Sequence, residues 1–169
     1  SVSGSVRRNS GVAVPGTTVL MTGTSTGTNL TNSAGNYLFP NLAAGSNLTL
    51  TPVKSNAFSE CVSVRDILFI LKHILGLQAL GSPYQMIEAD VNRSNTITGF
   101  DVTELRKLIL GIYTELPSND SWRFVPADFV FSNPLNPFQN TFPEVSDLTN
   151  LQTDAVRDFI GMKIGDATD

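Results

Sequence analysis

Up to Val53 the apolar positions come in short runs or alternate with polar ones; from Val64 onward they recur at helical spacing. Residues 2–7, 17–22, 37–39 and 48–53 are β-prone runs, and Leu48-Thr-Leu-Thr-Pro52 alternates as a half-buried strand does. Val14-Pro-Gly, Ala34-Gly-Asn and Ala44-Gly-Ser supply turn residues between them. The pattern predicts a small β-sandwich over residues 1–53.

Residues 64–75 then predict a helix stopped by Gly76, a residue suited to the position just past a helix end. It is apolar nearly all round, so burial on two sides is expected. A second helix is predicted from about Asp101 to Leu110, ending at Gly111. Its stripe is Val102, Leu105, Leu108, Ile109 and Ile112, with Glu104, Arg106 and Lys107 toward water. Beyond residue 113, 122–125 and 129–131 read as short strands and 133–138 as a loop. A short helix capped by Ser146 or Thr153 is expected within 146–158, and a returning strand over 159–164. Pro117, Pro126, Pro134, Pro137 and Pro143 forbid long regular elements here. The expected class is α+β: a sandwich (1–53), a helix pair (54–116), and an irregular C-terminal section (117–169) packed on both.

Charge sharpens this division. Residues 1–59 carry Arg7, Arg8 and Lys54 and no acid, whereas the rest hold all fifteen acids against eight bases. A net charge of −4 argues against nucleic acid as a partner, and no apolar run is long enough for a membrane span. One Cys and one His allow neither an internal disulfide nor a Cys/His zinc site. The chain opens at Ser1 without a secretory leader, which reads as a mature piece or a part of something longer.

The two helices are copies. Asp66-x3-Ile70-x-Lys72-x-Ile74-Leu-Gly-Leu77 matches Asp101-x3-Leu105-x-Lys107-x-Ile109-Leu-Gly-Ile112 at an offset of 35 residues. Ahead of the second lies the twelve-residue run from Asp90 to Asp101. Asp90, Asn92, Ser94 and Asp101 put side-chain oxygens at positions 1, 3, 5 and 12, and Thr96 stands at position 7, where a backbone carbonyl serves. Calcium takes six to eight oxygens, and this spacing wraps a loop around one ion. Position 6 needs a sharp turn, and Asn95 tolerates the left-handed conformation. Ile97 at position 8 can anchor the loop in the core. Pro83 to Ala89 is too short for a full incoming helix, so a loop followed by one helix is expected. The alternative is an Asx-rich turn that caps a helix.

The first copy is poorer in oxygens. Counting back from Asp66 gives Ser55, Ala57, Ser59, Cys61 and Ser63 at positions 1, 3, 5, 7 and 9. Ser55, Ser59, Cys61 and Asp66 are its candidate ligands. Either the metal is lost here, or backbone oxygens and residues from elsewhere complete the set; without metal, Asp66 simply caps a helix.

On this duplication, residues 55–112 resemble a type I dockerin. Residues 1–53 resemble carboxypeptidase-regulatory-like or Cna-B-like sandwiches, through Val2-Ser-Gly-Ser-Val6, Pro15-Gly-x-x-Val-x-Met-x-Gly-Thr24, Gly35-Asn-Tyr-x-Phe39, Leu42 and Gly45. With Asn119–Asp128 and Lys163-Ile-Gly-Asp166, the combination looks like modules of secreted surface proteins of Bacteroidetes-type bacteria. The resemblance implies an extracellular address, calcium, and a tandem or fibre-forming parent whose partners are copies of itself or a cohesin-like protein. No Lys–Asn crosslink is expected within residues 1–59, which have no acid to assist it.

No catalytic constellation stands out, and a non-enzymatic role is expected. His73 sits inside an apolar helix, and Cys61 is expected to be a small buried thiol. Trp122, Phe124, Phe129 and Phe131 read as core in preference to a sugar-stacking face, which an accessory carbohydrate-binding domain would need. Gly165 to Asp169 reads as a frayed acidic terminus or the start of another calcium loop. Asn29, Asn47, Asn92 and Asn119 lie in glycosylation sequons.

Overall fold

The computed structural model describes residues 1–168. Asp169, the last residue of the acidic terminus, lies outside the described residues. The element order is β1 (Val2–Arg7), β2 (Thr18–Gly23), β3 (Gly27–Leu30), β4 (Asn36–Phe39), β5 (Ser46–Val53), α1 (Val64–Ile74), α2 (Pro83–Ala89), α3 (Gly99–Ile109), β6 (Trp122–Pro126), β7 (Ser146–Leu151), β8 (Ala155–Val156) and β9 (Phe159–Lys163). The strands form two sheets, ordered β4-β1-β9-β6 (with β8 also on β1) and β3-β2-β5-β7.

That arrangement corrects the expected fold class. The fold is mostly β, with nine strands and three short helices among the described residues. It is not an N-terminal sandwich followed by a helix pair and an irregular tail, because four strands come from the C-terminal section and complete both sheets. The chain divides into two compact units. One takes Ser1–Lys54, Phe124–Val130 and Pro143–Gly161; the other takes Ser55–Arg123, Phe131–Phe142 and the residues from Met162.

In the first unit β1 runs antiparallel to β4 and parallel to β8 and β9, with Val6 opposite Phe159. Its inward residues Val2, Val6, Val19 and Leu50 are fully buried, each contributing roughly 1.5–3 kcal/mol of hydrophobic stabilisation. Gly4 is required where the chain returns: a Cβ there would strike the Arg157 carbonyl, while the Arg157 amide bonds Ser3 O at 2.8 Å.

The expected helix within 146–158 is instead β7 and β8. Leu148 and Leu151 are three apart, which mimics a helical face. In the structure Leu148 pairs with Leu48 and Leu151 with Ser46, so the pairing register shifts. Asn150 absorbs the extra residue of this bulge at φ 53°. β3, mostly polar and at the edge of its sheet, carries no apolar alternation to announce it. Residues 129–131 form no strand.

The second unit holds the helices. α1 and α3 are copies down to their caps. Ser63 and Thr98 are the N-caps, 35 residues apart, and each forms a capping box with the aspartate three residues on. Ile67 and Ile70 match Val102 and Leu105 as buried positions, and the helices pack on one another. Burial of α1 on two sides is not observed: Val64 is 68% and Leu68 50% exposed. One buried stripe suffices because α1 lies against α3 and leaves its outer face open. The segment before the second loop is also helical. α2 starts with Ser82 as N-cap and Pro83 in the first turn, so the loop is entered from a helix of two turns.

Candidate metal centre

The Asp90–Asp101 loop joins α2 to α3, and its geometry follows from two left-handed residues, Arg93 (φ 56°) and Asn95 (φ 62°). Asn95 stands where the spacing demands a sharp turn; Arg93 was not foreseen. These reversals fold the loop's amides back on its first carboxylate. Ser94 N donates to Asp90 Oδ1 at 2.8 Å and Asn95 N to Asp90 Oδ2 at 2.9 Å. Ser94 N also reaches Asn92 Oδ1 at 3.1 Å. The Ser94 hydroxyl lies 3.5 Å from Asp90 Oδ1, 3.1 Å from Thr96 O and 2.9 Å from Thr96 Oγ1.

Asp101 closes the ring from the first turn of α3. Its Oδ2 accepts from Thr98 N at 2.8 Å, and its Oδ1 accepts from Asn92 N at 3.1 Å. The five candidate residues Asp90, Asn92, Ser94, Thr96 and Asp101 are therefore linked through one set of short contacts. Asp90 and Asp101 are both fully buried, whereas Ser94 and Thr96 lie at the exposed rim.

Burial pushes the Asp90 carboxyl above the ordinary range; the Asn95 and Ser94 amides hold it back, the Asp101 carboxylate raises it, and the Arg123 guanidinium lowers it. Asp101 is likewise pushed up by burial and held back by the amides around it. Two buried carboxylates that repel one another, ringed by amide, hydroxyl and carbonyl oxygens, suit a hard divalent cation. The donor set fits calcium. Among the described residues no three His, Cys, Asp or Glu side chains form a metal-holding group; here only two of the five donors are of those types.

Asn119 is a supporting residue that spacing does not disclose. It is 8% exposed, and its amide donates to Asp90 O at 3.0 Å and Val91 O at 3.3 Å. It pins the loop's first turn from 28 residues downstream, and only its place in a polar Asn-Asp-Ser run marks it in the sequence.

The first copy is built differently. The Ser55 hydroxyl bonds Asp120 Oδ1 at 3.2 Å, and Ser59 and Cys61 are exposed. The expectation of a buried thiol is thus corrected: Cys61 takes φ 62° in an open turn. Asp66 is fully buried. Its Oδ2 accepts from Ser63 N at 2.8 Å and from Ser63 Oγ at 3.0 Å, while its Oδ1 has no hydrogen-bond partner.

The remaining candidate groups have structural surroundings. His73 Nδ1 accepts from Leu80 N at 3.2 Å. Trp122, Phe124 and Phe131 are buried and Phe129 is half-buried, so these rings make no open stacking face. Among the described residues no helix is long and apolar enough to cross a membrane. No family model, no curated protein and no solved structure matches the chain.

Proposed function

We propose that this chain is a calcium-stabilised, non-catalytic structural module of an extracellular protein, one block of an array or fibre whose neighbours are copies of itself. The observation that carries this reading is the loop between α2 and α3, which brings Asp90 and Asp101 together, both fully buried. Calcium there cancels their repulsion and ties the end of α2 to the start of α3. With only two carboxylates in the loop, the affinity suits millimolar extracellular calcium rather than cytosolic signalling. The single histidine serves as a backbone acceptor, which favours a structural role over a catalytic one.

The test is calorimetric melting of the full chain in millimolar calcium and in chelator, beside Asp90→Ala. Calcium at a hundredfold above its dissociation constant adds about 2.7 kcal/mol to the folded state. The wild type is expected to lose that increment in chelator, and Asp90→Ala to lose it in calcium as well. Amide exchange in chelator is expected to quicken first over residues 90–101. Identical melting with and without chelator would overturn the reading.

A second reading, a module that docks a cohesin-like partner, is favoured by one observation. Val64, Leu68, Leu75 and Leu77 leave the outer side of α1 and its exit apolar and exposed. Pull-down with Leu68→Lys and Leu77→Lys separates it from the first, since neither substitution touches the calcium loop.

A further inference from the structure

The two copies cap their helices identically and differ in the second oxygen of the capping aspartate. In the second copy that oxygen, Asp101 Oδ1, is answered by the Asn92 amide. In the first, Asp66 Oδ1 is buried and unanswered. A buried carboxylate oxygen without a donor is costly, because it has lost its water and gained nothing in return. The Asp66 carboxyl is pushed up by the Asp166 carboxylate and held back by the Thr168 hydroxyl, both from the far end of the chain.

The turn that brings them there is firmly built. Lys163 N donates to Glu88 Oε1 at 3.2 Å, Ile164 N to Ser121 O at 3.0 Å, and Gly165 N to Glu88 O at 2.8 Å. The Lys163 ammonium, fully buried, donates to Phe58 O at 2.8 Å and so clasps the first loop itself. Gly165 is there by necessity: at φ 92° a Cβ would sit 2.7 Å from Leu105 Cδ1 and 3.2 Å from a Val62 methyl. Past it, Asp166 is 5% exposed, and its Oδ1 accepts from Thr168 Oγ1 at 3.0 Å.

We propose that Asp66, Asp166 and Thr168 form a second site for a hard divalent cation, calcium foremost, assembled from the capping end of α1 and the 163–168 turn. The first loop's missing acid is thereby replaced by Asp166, 100 residues beyond Asp66 in the chain. Two carboxylates and a hydroxyl are hard oxygen donors; backbone carbonyls and water complete the shell. The cation answers the orphan Asp66 oxygen and the repulsion between the two carboxylates. Burial first, and then the Asp166 charge, push Asp66 upward, while the Ser63 and Thr168 groups hold it back. The rival resolution is a proton shared between the two acids.

Counting calcium ions per full chain by titration calorimetry decides between them. The wild type is expected to bind two ions, Asp166→Asn one and Asp90→Asn one. Asp66→Asn, which keeps an oxygen for Ser63, is the second variant at the new site and should also bind one; circular dichroism in calcium checks that each is folded. Two ions in wild type with two retained in folded Asp166→Asn overturns the proposal. One ion in wild type, lost in Asp90→Asn and kept in Asp166→Asn, overturns it while leaving the α2–α3 loop site standing. One ion lost in Asp166→Asn and kept in Asp90→Asn supports it and removes the loop site instead. A shared proton predicts that Asp166→Asn leaves the ion count unchanged, and that result too would overturn the cation.

Discussion

The two copies of the loop-helix unit share a frame and differ in how they finish it. Ser63 and Thr98, Asp66 and Asp101, Ile70 and Leu105, Gly76 and Gly111 are related by the same offset and occupy matching places, as N-cap, capping aspartate, fully buried apolar residue and left-handed helix stop. The second copy closes its loop locally, with Asp90 eleven residues before Asp101. The first has Ser55 where the second has Asp90, and its Asp66 feels the Asp166 carboxylate instead. Packing positions thus have the same chemistry in both copies, while the loop in front carries the full run of side-chain oxygens in the second copy and is broken by Ala57 and Cys61 in the first. Packing constrains the buried stripe through volume; a polar loop is constrained only by what its oxygens face.

The largest effect should test the shared frame. Ile70→Ala and Leu105→Ala remove side chains that are fully buried at equivalent positions, and each should cost about 2–5 kcal/mol by lost burial and residual cavity. The cost is expected to be similar for both, and the same in calcium as in chelator. Urea unfolding in the two conditions measures it. A cost at Leu105 that vanishes in chelator, with none at Ile70, would break the equivalence and make the second copy's packing depend on its loop.

How legible these features were depends on whether a residue's partners lie near it in sequence. β1 has the bounds its pattern announced, and α1 and α3 stop at the glycines that mark their ends, because alternation, periodicity and helix stops are local. Asp90, Asn92, Ser94, Thr96 and Asp101 were legible as a set for the same reason: all lie in one twelve-residue run. The 146–158 segment was not, since its strand exists only through pairing with β5, 98 residues back from Asp147 to Thr49, and its bulge disguised the alternation. Asn119 was equally out of reach, and Gly165–Asp169 could be read as the start of a calcium loop but not as a neighbour of Asp66, because only tertiary pairing brings them to the two loops.

An intermediate effect concerns protons. In chelator Asp66, Asp90 and Asp101 are all held above the ordinary value of 3.8, by burial first in each case. The folded chain therefore keeps these protons to higher pH than the unfolded chain. Between 3.8 and the raised folded values the folded state binds more protons, so its stability falls as pH rises through that window and levels off above it. Below the window both states are protonated and nothing is lost. In calcium the sign reverses: protons compete with the cation, and the calcium increment shrinks as pH falls. Urea midpoints in chelator between pH 4 and pH 7, compared among wild type, Asp66→Asn and Asp90→Asn, separate the copies, because each variant should remove its own share of the slope. Exposed Asp154, held low by the Ser1 amine, works in the opposite direction and is common to all three. A slope unchanged in Asp66→Asn would mean that the first copy's carboxylate is not under the strain its burial implies.

The smallest effect separates the two loops by backbone alone. Each reverses through two residues of positive φ: Arg93 (56°) and Asn95 (62°) in the second, Ala57 (52°) and Cys61 (62°) in the first. An ordinary L-residue in that region costs roughly 1–2 kcal/mol. Asparagine tolerates it far better than alanine or cysteine does. Glycine removes the cost but adds back roughly 0.5–1 kcal/mol of unfolded-state freedom. Ala57 and Cys61 are exposed, so little packing is lost with their side chains. Ala57→Gly and Cys61→Gly are therefore expected to stabilise by up to about 1 kcal/mol, while Asn95→Gly changes little, since its contact to Asp90 Oδ2 is made by the backbone amide. Urea midpoints in calcium resolve the difference. Equal gains at Asn95 and Cys61 would show that neither loop's turn is matched to its residue. A gain confined to the first copy would show that Asn95 suits its left-handed position, while Ala57 and Cys61 hold theirs at a cost.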